Sequence, residues 1–319
     1  MESNGNKTTK WKKYSLIAVV ALAAFGILVV GMKREKWALA EDGPMTFQSP
    51  AEAGAALDRA AKSGDEVALA RILGVDTKTL LSTGDKEADK AALEVFAKKY
   101  EKMNRWVDMT DGSRVLYIGA DNFAFPVPLA KNFQGQWYFD EVAGTQEVRA
   151  RDIGRNELLA IDASSALANA QGIYFAEGGD SGEYAQRIVS TSGKQDGLYW
   201  PASENQPTSP LAGLSELPRS SVTSLSPDQP LIIDGYALRI LTAQGEDAPG
   251  GAMSYVANGK MTGGFAILAT PVKYAETGIM TFMTGSDGVV YEQDLGPDTA
   301  KIAASILEYN PTDDWAPVE

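Results

Sequence analysis

The 319-residue chain contains no histidine and no cysteine, which removes most of the side chains used in nucleophilic catalysis. Without an imidazole there is no Ser/His/Asp triad, and no side chain whose ordinary pKa lies near neutrality. Zinc sites built on histidine or cysteine are excluded for the same reason. Carboxylates are therefore the only plausible general acids and bases, and the sequence predicts no metal and no cofactor.

Glu157 and Asp196 are the first candidates for catalytic residues. A glycosidase-like or lyase-like reaction would need two carboxylates about 5–10 Å apart with pKa values shifted away from each other. No spacing in the sequence fixes such a pair, because the chain after residue 40 contains 40 acidic residues from which to choose. A protein without enzymatic activity is the favoured interpretation, and a carboxylate-dependent hydrolase or lyase is the alternative.

The segment 194–201 is a candidate binding loop. It places Lys194, Asp196, Tyr199 and Trp200 in a loop bounded by glycine and proline. This mixture is typical of a groove that holds a glycan or a peptide by stacking and hydrogen bonding. The structural alternative is that the aromatic side chains pack in the core and the carboxylate only supports the turn.

A second polar cluster is predicted around the start of a long helix. Arg155 lies there beside Glu157, and Tyr184 and Arg187 could meet them through charge-assisted hydrogen bonds. Such a cluster could contribute to a ligand or partner site. The alternative is that these residues hold the helix to a loop as part of the fold.

Residues 14–31 form an uncharged, largely apolar run of eighteen residues that follows four lysines. This pattern is typical of an export signal or a membrane anchor, and a helix of this length would reach roughly 27 Å. Residues 1–40 are therefore predicted to be a signal cut after Ala40 or an uncleaved anchor. The anchor is favoured, because the charged residues 33–36 lie between the apolar run and the predicted cleavage point after Ala40.

The distribution of charge predicts where the chain works and which partners it meets. The lysines before residue 14 are expected to keep the N-terminus in the cytoplasm, so that the bulk of the protein is periplasmic or attached outside the inner membrane. The 279 residues after residue 40 hold 22 basic and 40 acidic residues, a net charge of −18. Nucleic acid is therefore disfavoured as a partner, and an envelope protein or a glycan is predicted instead.

The hydrophobic periodicity predicts an α+β protein with two domains, 47–144 and 145–319. The first holds helices that begin at a Ser49–Glu52 capping box, with the same device repeated at Ser63, and then an antiparallel meander. The second holds a long helix packed on an antiparallel sheet, with a helix near the C-terminus.

Three features of the second domain are predicted in more detail. The core-facing stripe of the long helix is expected to contain Leu159, Ala163, Ala166, Ala170 and Ile173. A short helix is expected over 183–190, followed by an irregular loop over 192–229. Such a long loop is uncommon in a compact domain unless it is functional or disordered.

Several short strings occur in order along the chain and resemble one family of exported bacterial proteins. The strings are IGRNEL at 153–158, EYAQR at 183–187, STSGKQDGLYWP at 190–201, APGG at 248–251, GKM at 259–261, GGFA at 263–266, DGVVY at 287–291 and DLG at 294–296. From about Phe47 onward the chain is similar to the family called domain of unknown function 2950. The resemblance implies an envelope protein, from a Gram-negative bacterium, and brings with it no assigned activity, cofactor or catalytic residue.

The second domain also resembles the globular part of pilin-like and pseudopilin-like proteins, in which a long helix precedes an antiparallel sheet. In this chain the apolar N-terminal run is separated from that unit by more than a hundred residues. A pilin-like assembly component is therefore a third possible function.

Overall fold

The computed structural model describes residues 44–74, 82, 84–177, 182–204, 207–213 and 222–318. The predicted export or anchor segment 14–31 and the predicted cleavage point at Ala40 lie outside these residues. Among the helices of the described ranges, none combines the length and the apolar character needed to cross a bilayer.

The first three helices begin at side chains that accept backbone N–H groups. They are α1 (Pro50–Ser63), α2 (Glu66–Leu73) and α3 (Lys86–Lys102). The predicted cap at Ser49 is confirmed, because its hydroxyl accepts the amide of Glu52 at 3.2 Å. At α2 the cap is Asp65 rather than Ser63, since α1 continues through Ser63 and ends at Gly64, which has a φ of 64°.

The predicted meander forms a five-stranded antiparallel sheet. Its strands are β1 (Asn104–Asp108), β2 (Arg114–Ile118), β3 (Phe123–Ala124), β4 (Leu129–Lys131) and β5 (Trp137–Phe139). The order is β1-β2-β4-β5, with β3 paired to β2. Phe47 forms two backbone hydrogen bonds with Trp137, at 2.7 and 2.8 Å. The sheet and the helices enclose a first apolar cluster, and we call residues 47–139 the N-terminal unit.

A single helix of 37 residues, α4 (Glu141–Glu177), follows β5. At 1.5 Å per residue it is about 55 Å long. The buried or half-buried face follows alternating spacings of four and three residues, at Ile153, Glu157, Ala160, Ser164, Leu167, Gln171 and Tyr174.

The predicted core stripe of α4 is wrong at both of its ends. Leu159 and Ile173 are 37% and 45% exposed, and Ala166 is also exposed, whereas Ala170 is buried. The error has a physical cause. Ser164 and Gln171 are polar, but each forms hydrogen bonds in the interior and occupies the core face that the apolar pattern assigned to its neighbours.

The remaining strands belong mainly to a seven-stranded antiparallel sheet. Strands β6 to β16 are, in chain order, Val222–Ser224, Leu231–Ile233, Tyr236–Leu241, Ala243–Gln244, Met253–Ser254, Val256–Ala257, Lys260–Met261, Ala266–Pro271, Met280–Gly285, Val290–Asp294 and Ala316–Pro317. The order of the large sheet is β16-β15-β14-β13-β8-β7-β6. Strands β9 with β10, and β11 with β12, form two small pairs.

Helices cover both faces of the large sheet. The helix α4 lies on the face that carries Tyr236 and Leu238, since Glu157 of α4 accepts the amide of Met280 and the hydroxyl of Tyr236 donates to the carbonyl of the same residue. Arg239 points to the other face and donates to carbonyls of a short helix, α5 (Thr299–Ser305). Together α4, the sheet and the C-terminal segment bury a second apolar cluster, and we call residues 153–318 the C-terminal unit. The architecture is α+β.

Segment 183–190 is irregular and contains two isolated β-bridges, so the predicted short helix is wrong. Tyr184 forms a bridge with Met261, and Val189 forms one with Tyr199. These tertiary contacts satisfy the backbone and override the local helical preference. The described parts of the predicted loop 192–229 are irregular up to β6.

Candidate functional site

The segment 184–200 folds into a tight loop with Asp196 at its centre. One carboxylate oxygen of Asp196 accepts the amide of Thr191 at 2.8 Å, and the other accepts the Thr191 hydroxyl at 2.9 Å. Arg187 donates to the same hydroxyl at 2.9 Å, and its Nε lies 4.0 Å from Asp196. The structure therefore brings two of the predicted site residues, Arg187 and Asp196, together.

These contacts favour the ionised form of Asp196. Burial raises the pKa of Asp196, but the two hydrogen bonds from Thr191 and the charge of Arg187 outweigh it, so the pKa lies below its usual value. A carboxyl group with a lowered pKa is ionised at neutral pH and has no proton to donate, so it is poorly suited to act as a general acid. Its geometry is suited to closing the loop.

The turn around Asp196 leaves no free space at Gly197. A Cβ at this position would lie 2.8 Å from the backbone nitrogen of Ser190 and 2.8 Å from the carbonyl carbon of Val189. The amide of Gly197 donates to the hydroxyl of Ser190 at 3.0 Å. The loop is thus packed against itself.

The aromatic residues of the loop contribute to the core. Trp200 is only 5% exposed, and its indole N–H donates to the carbonyl of Pro207 at 2.9 Å. Tyr199 is half-buried against the second apolar cluster. The ring of Trp200 is therefore enclosed and offers no stacking platform. For this residue the alternative interpretation, packing in the core, is the one that fits the structure.

Tyr184 lies in an aromatic cluster. Its ring centroid is 4.5 Å from that of Phe175 and 5.0 Å from that of Phe265. By contrast, Lys194 and Arg155 are exposed, and Arg155 pairs with Asp152 on its own helix at 2.9 Å. The predicted cluster of ligand-binding residues is thus divided between packing positions and open surface.

Glu157 lies in a different part of the C-terminal unit from Asp196. Its Oε1 accepts the amides of Ile279 and Met280, at 2.8 and 3.0 Å. Near Asp196, the hydroxyl of Tyr174 donates to the carbonyl of Gln195. Tyr174 follows Glu157 by 17 residues on α4, which is about 25 Å along the helix axis. The structure therefore does not bring Glu157 and Asp196 together as a catalytic pair.

The carboxylate that lies near Glu157 is Glu292, which the sequence did not single out. Burial raises the pKa of Glu292, and the negative charge of Glu157 raises it further. Glu292 is on β15 opposite Phe282 of β14. A carboxyl group of raised pKa beside a second carboxylate is the arrangement that acid–base enzymes use.

Two further polar residues hold the C-terminal unit together. Gln171 is fully buried and forms two hydrogen bonds of 2.8 Å with the backbone N–H and C=O of Ala185. Arg239 donates to the carbonyls of Ala303 and Ile306 at the end of α5. One sequence signal could have indicated part of this network: Glu157, Ser164 and Gln171 recur at intervals of seven residues, which places them on one face of a helix.

An open groove of about 480 Å³ lies on the face of the large sheet that carries α5. Its walls come from β14, β15, α5 and the segment after α5. The apolar lining residues are Met283, Leu295, Ile302, Ile306, Leu307 and Trp315. The volume is within the range of about 300–1,000 Å³ that is common for ligand sites.

Within the described ranges, no group of three or more acidic residues is placed so that it could hold a metal ion. The two predicted carboxylates, Glu157 and Asp196, are each engaged in other contacts. Glu157 binds backbone amides, and Asp196 binds Thr191. The geometry therefore offers binding surfaces and a structural polar network.

Comparison with known proteins agrees with the resemblance seen in the short strings. Residues 45–318 match the family described as "Protein of unknown function (DUF2950)", and the chain belongs to this family. No curated protein matches the chain, and no solved structure matches it. The pilin-like resemblance is thus not confirmed.

Proposed function

We propose that this protein is a cell-envelope binding or scaffold module that acts without catalysis. It is exported, with residues 14–31 in the inner membrane and the α+β body outside the cytoplasm. The lysines before residue 14 and the eighteen uncharged residues support this orientation. The partner is an envelope protein or a glycan.

The observation that carries the proposal is the use made of the chemically capable residues. Asp196 and Glu157 both accept backbone amides, and they lie in separate parts of the C-terminal unit. Trp200 is enclosed and hydrogen-bonded. Because these side chains are engaged in holding loops and strands, their arrangement favours a stable body that presents a surface.

A topology measurement tests the location. β-Lactamase fused after Glu319 is expected to give ampicillin resistance, because the C-terminus lies outside the cytoplasm. The matched control replaces Lys7, Lys10, Lys12 and Lys13 with Glu, which removes the charge that orients the segment and is expected to reduce resistance. Resistance that is absent from the parent fusion, while the fusion protein accumulates in the cell, contradicts the proposal.

Crosslinking in intact cells tests the binding role. A photoreactive amino acid at exposed positions of the C-terminal unit is expected to give a discrete crosslinked species with an envelope component. The same amino acid at the enclosed position Trp200 serves as the control and is expected to give none. Absence of any crosslink from the exposed positions, together with no glycan binding in vitro, would remove the binding role.

A carboxylate-dependent hydrolase or lyase acting on envelope polysaccharide is the second candidate. One observation favours it, which is the raised pKa of Glu292 beside Glu157. In this case Glu292→Gln would abolish release of reducing ends from polysaccharide, while Asp196→Asn would retain it. Equal turnover by the parent and Glu292→Gln proteins would rule out this pair.

A further inference from the structure

Six of the eleven residues that line the groove beside α5 are apolar, five of them aliphatic and one a tryptophan, and the groove is open to solvent along one side. Leu307 stands at its rim and is 72% exposed, and Ile302 on α5 is 38% exposed. Exposed aliphatic groups that line a concavity lose contact with water when an apolar group enters, which favours binding.

Trp315 is one of the residues that line the groove, and its indole carries an N–H donor. The residue is only 9% exposed, and its indole nitrogen donates to no acceptor in the described part of the chain. The nitrogen is not among the fully enclosed unpaired atoms of these residues, so it keeps contact with solvent. Because a buried indole N–H normally finds a partner, this donor is available to an acceptor on a bound molecule.

The charges of the groove have one sign. Asp294 and Glu308 are the charged residues that line it, and both are acidic. Asp294 already accepts the amide of Gly296 and, at 3.3 Å, the hydroxyl of Tyr274. Glu308 forms no hydrogen bond or ion pair with the described residues, so its charge is available to a cation.

We propose that this groove binds an extended peptide segment of a partner protein, in which a lysine or arginine lies next to aliphatic residues. The aliphatic side chains occupy the space between Ile302 and Leu307, the cation meets Glu308, and a peptide carbonyl accepts the indole N–H of Trp315. This inference rests on the proposed role as a binding module, and it names the surface and the chemistry of the partner.

Peptide chemistry matches all three features of the groove at once. A nucleic acid or an anionic lipid headgroup would be repelled by the two carboxylates. A neutral glycan would leave the exposed aliphatic rim without a counterpart. An extended peptide supplies an acceptor, an apolar group and a cation within a few residues.

The test uses the full chain in detergent micelles and the peptide acetyl-Leu-Lys-Leu-Lys-Leu-amide, with acetyl-Leu-Glu-Leu-Glu-Leu-amide as its matched control. The chain has six tryptophans, so the indole ¹⁵N–¹H signals can be assigned by single Trp→Phe substitutions. The lysine peptide is expected to shift the Trp315 signal in a saturable manner, and the glutamate peptide to leave it unchanged.

Variants separate groove binding from adsorption to the micelle. Glu308→Lys is expected to weaken binding of the lysine peptide about tenfold. Glu204→Lys makes the same charge change at an exposed position outside the groove and is expected to leave the affinity unchanged. A fingerprint spectrum of each variant confirms that it is folded.

Shifts confined to other tryptophans, equal binding of both peptides, or equal affinity of the Glu308→Lys and parent proteins would each overturn the proposal. The outcome is independent of the topology measurement. If the fusion gives resistance while the groove binds neither peptide, the exported module stands and this surface is excluded.

Discussion

The N-terminal and C-terminal units differ in how they use polar side chains. Among the described residues nine polar or charged side chains are buried, and Asp58 alone belongs to the N-terminal unit. There the polar side chains at helix ends bind nearby backbone, as Ser49 does with Glu52. In the C-terminal unit some polar side chains also join distant segments: the buried Gln171 binds Ala185, and the partly buried Arg239 binds Ala303.

This difference indicates how each unit obtains a unique structure. The N-terminal unit combines local caps with a continuous apolar cluster. The C-terminal unit has many irregular segments, and specific hydrogen bonds fix them against α4 and the sheet. Because an unpaired buried polar group is costly, the C-terminal unit should be more sensitive to single polar substitutions.

The largest effect is expected at Gln171. Gln171→Leu preserves bulk but leaves the N–H and C=O of Ala185 unpaired in the interior, so the C-terminal unit should lose about 3 kcal/mol of unfolding free energy. Urea unfolding measures this loss. Gln186→Leu is the matched control, because Gln186 donates to Gly259 in an exposed setting, and it should cost less than about 1 kcal/mol. Equal costs for the two variants would break the comparison.

The second-largest loss of unfolding free energy is expected for substitutions of Glu157. Glu157→Leu leaves the amides of Ile279 and Met280 without their acceptor and is expected to cost about 2 kcal/mol in urea unfolding. Glu157→Gln retains a carbonyl oxygen at the same place and should cost less. A glutamine variant as unstable as the leucine variant would show that charge, rather than the acceptor, is what matters.

A smaller effect is expected in the N-terminal unit. Ser49→Ala removes the cap of α1 and should cost about 1 kcal/mol. Ser49→Asp keeps an acceptor and should be neutral or stabilising. Thermal unfolding of the three proteins checks this. A loss at Ser49 as large as the loss at Gln171 would mean that the two units respond alike.

The smallest effect concerns pH. The pKa of Glu292 is raised in the folded protein, so its contribution to stability is fully present below the unfolded pKa and is lost as the pH rises through the folded pKa. Glu292→Gln should therefore raise Tm at pH 7, and the gain should shrink toward pH 4.

Asp196 supplies the opposite case. Its pKa is lowered in the folded protein, so its contribution is present above the unfolded pKa and is lost as the pH falls. Asp196→Asn should lower Tm at pH 7 and have little effect in acid. Melting curves of the Glu292→Gln and Asp196→Asn proteins between pH 3 and pH 8 test both predictions. If the change in Tm relative to the parent varied with pH in the same way for both variants, the assigned environments would be contradicted.

The local parts of the fold could be predicted from the sequence. The cap at Ser49 and the strand pair β14–β15 follow from short-range patterns, since the Gly285–Gly288 turn lies between two strand-like runs. The face of α4 could not be predicted from apolar residues alone. A glutamine on a helix is predicted to be exposed, because its amide needs hydrogen-bond partners. Gln171 is buried only because the backbone of Ala185 supplies them, and no local pattern identifies Ala185 as the partner.

The candidate site was less predictable than the fold. The sequence assigns Arg187 and Asp196 to two separate clusters and does not single out Thr191, whose hydroxyl joins them in the structure. Glu292 comes under the influence of the charge of Glu157 because α4 packs beside β15. The groove gathers β14, β15, α5 and Trp315, which are brought together by sheet order rather than by spacing.

The uninterrupted length of α4 has a mechanical consequence. A helix of about 55 Å acts as a lever, so that a tilt of only 5° about one end would displace the other by about 5 Å. The hydrogen bonds of Glu157 hold the middle of the helix to the sheet, and those of Gln171 hold its C-terminal part to the loop at Ala185. A force applied to the N-terminal unit would therefore be transmitted along α4 and opposed by these hydrogen bonds.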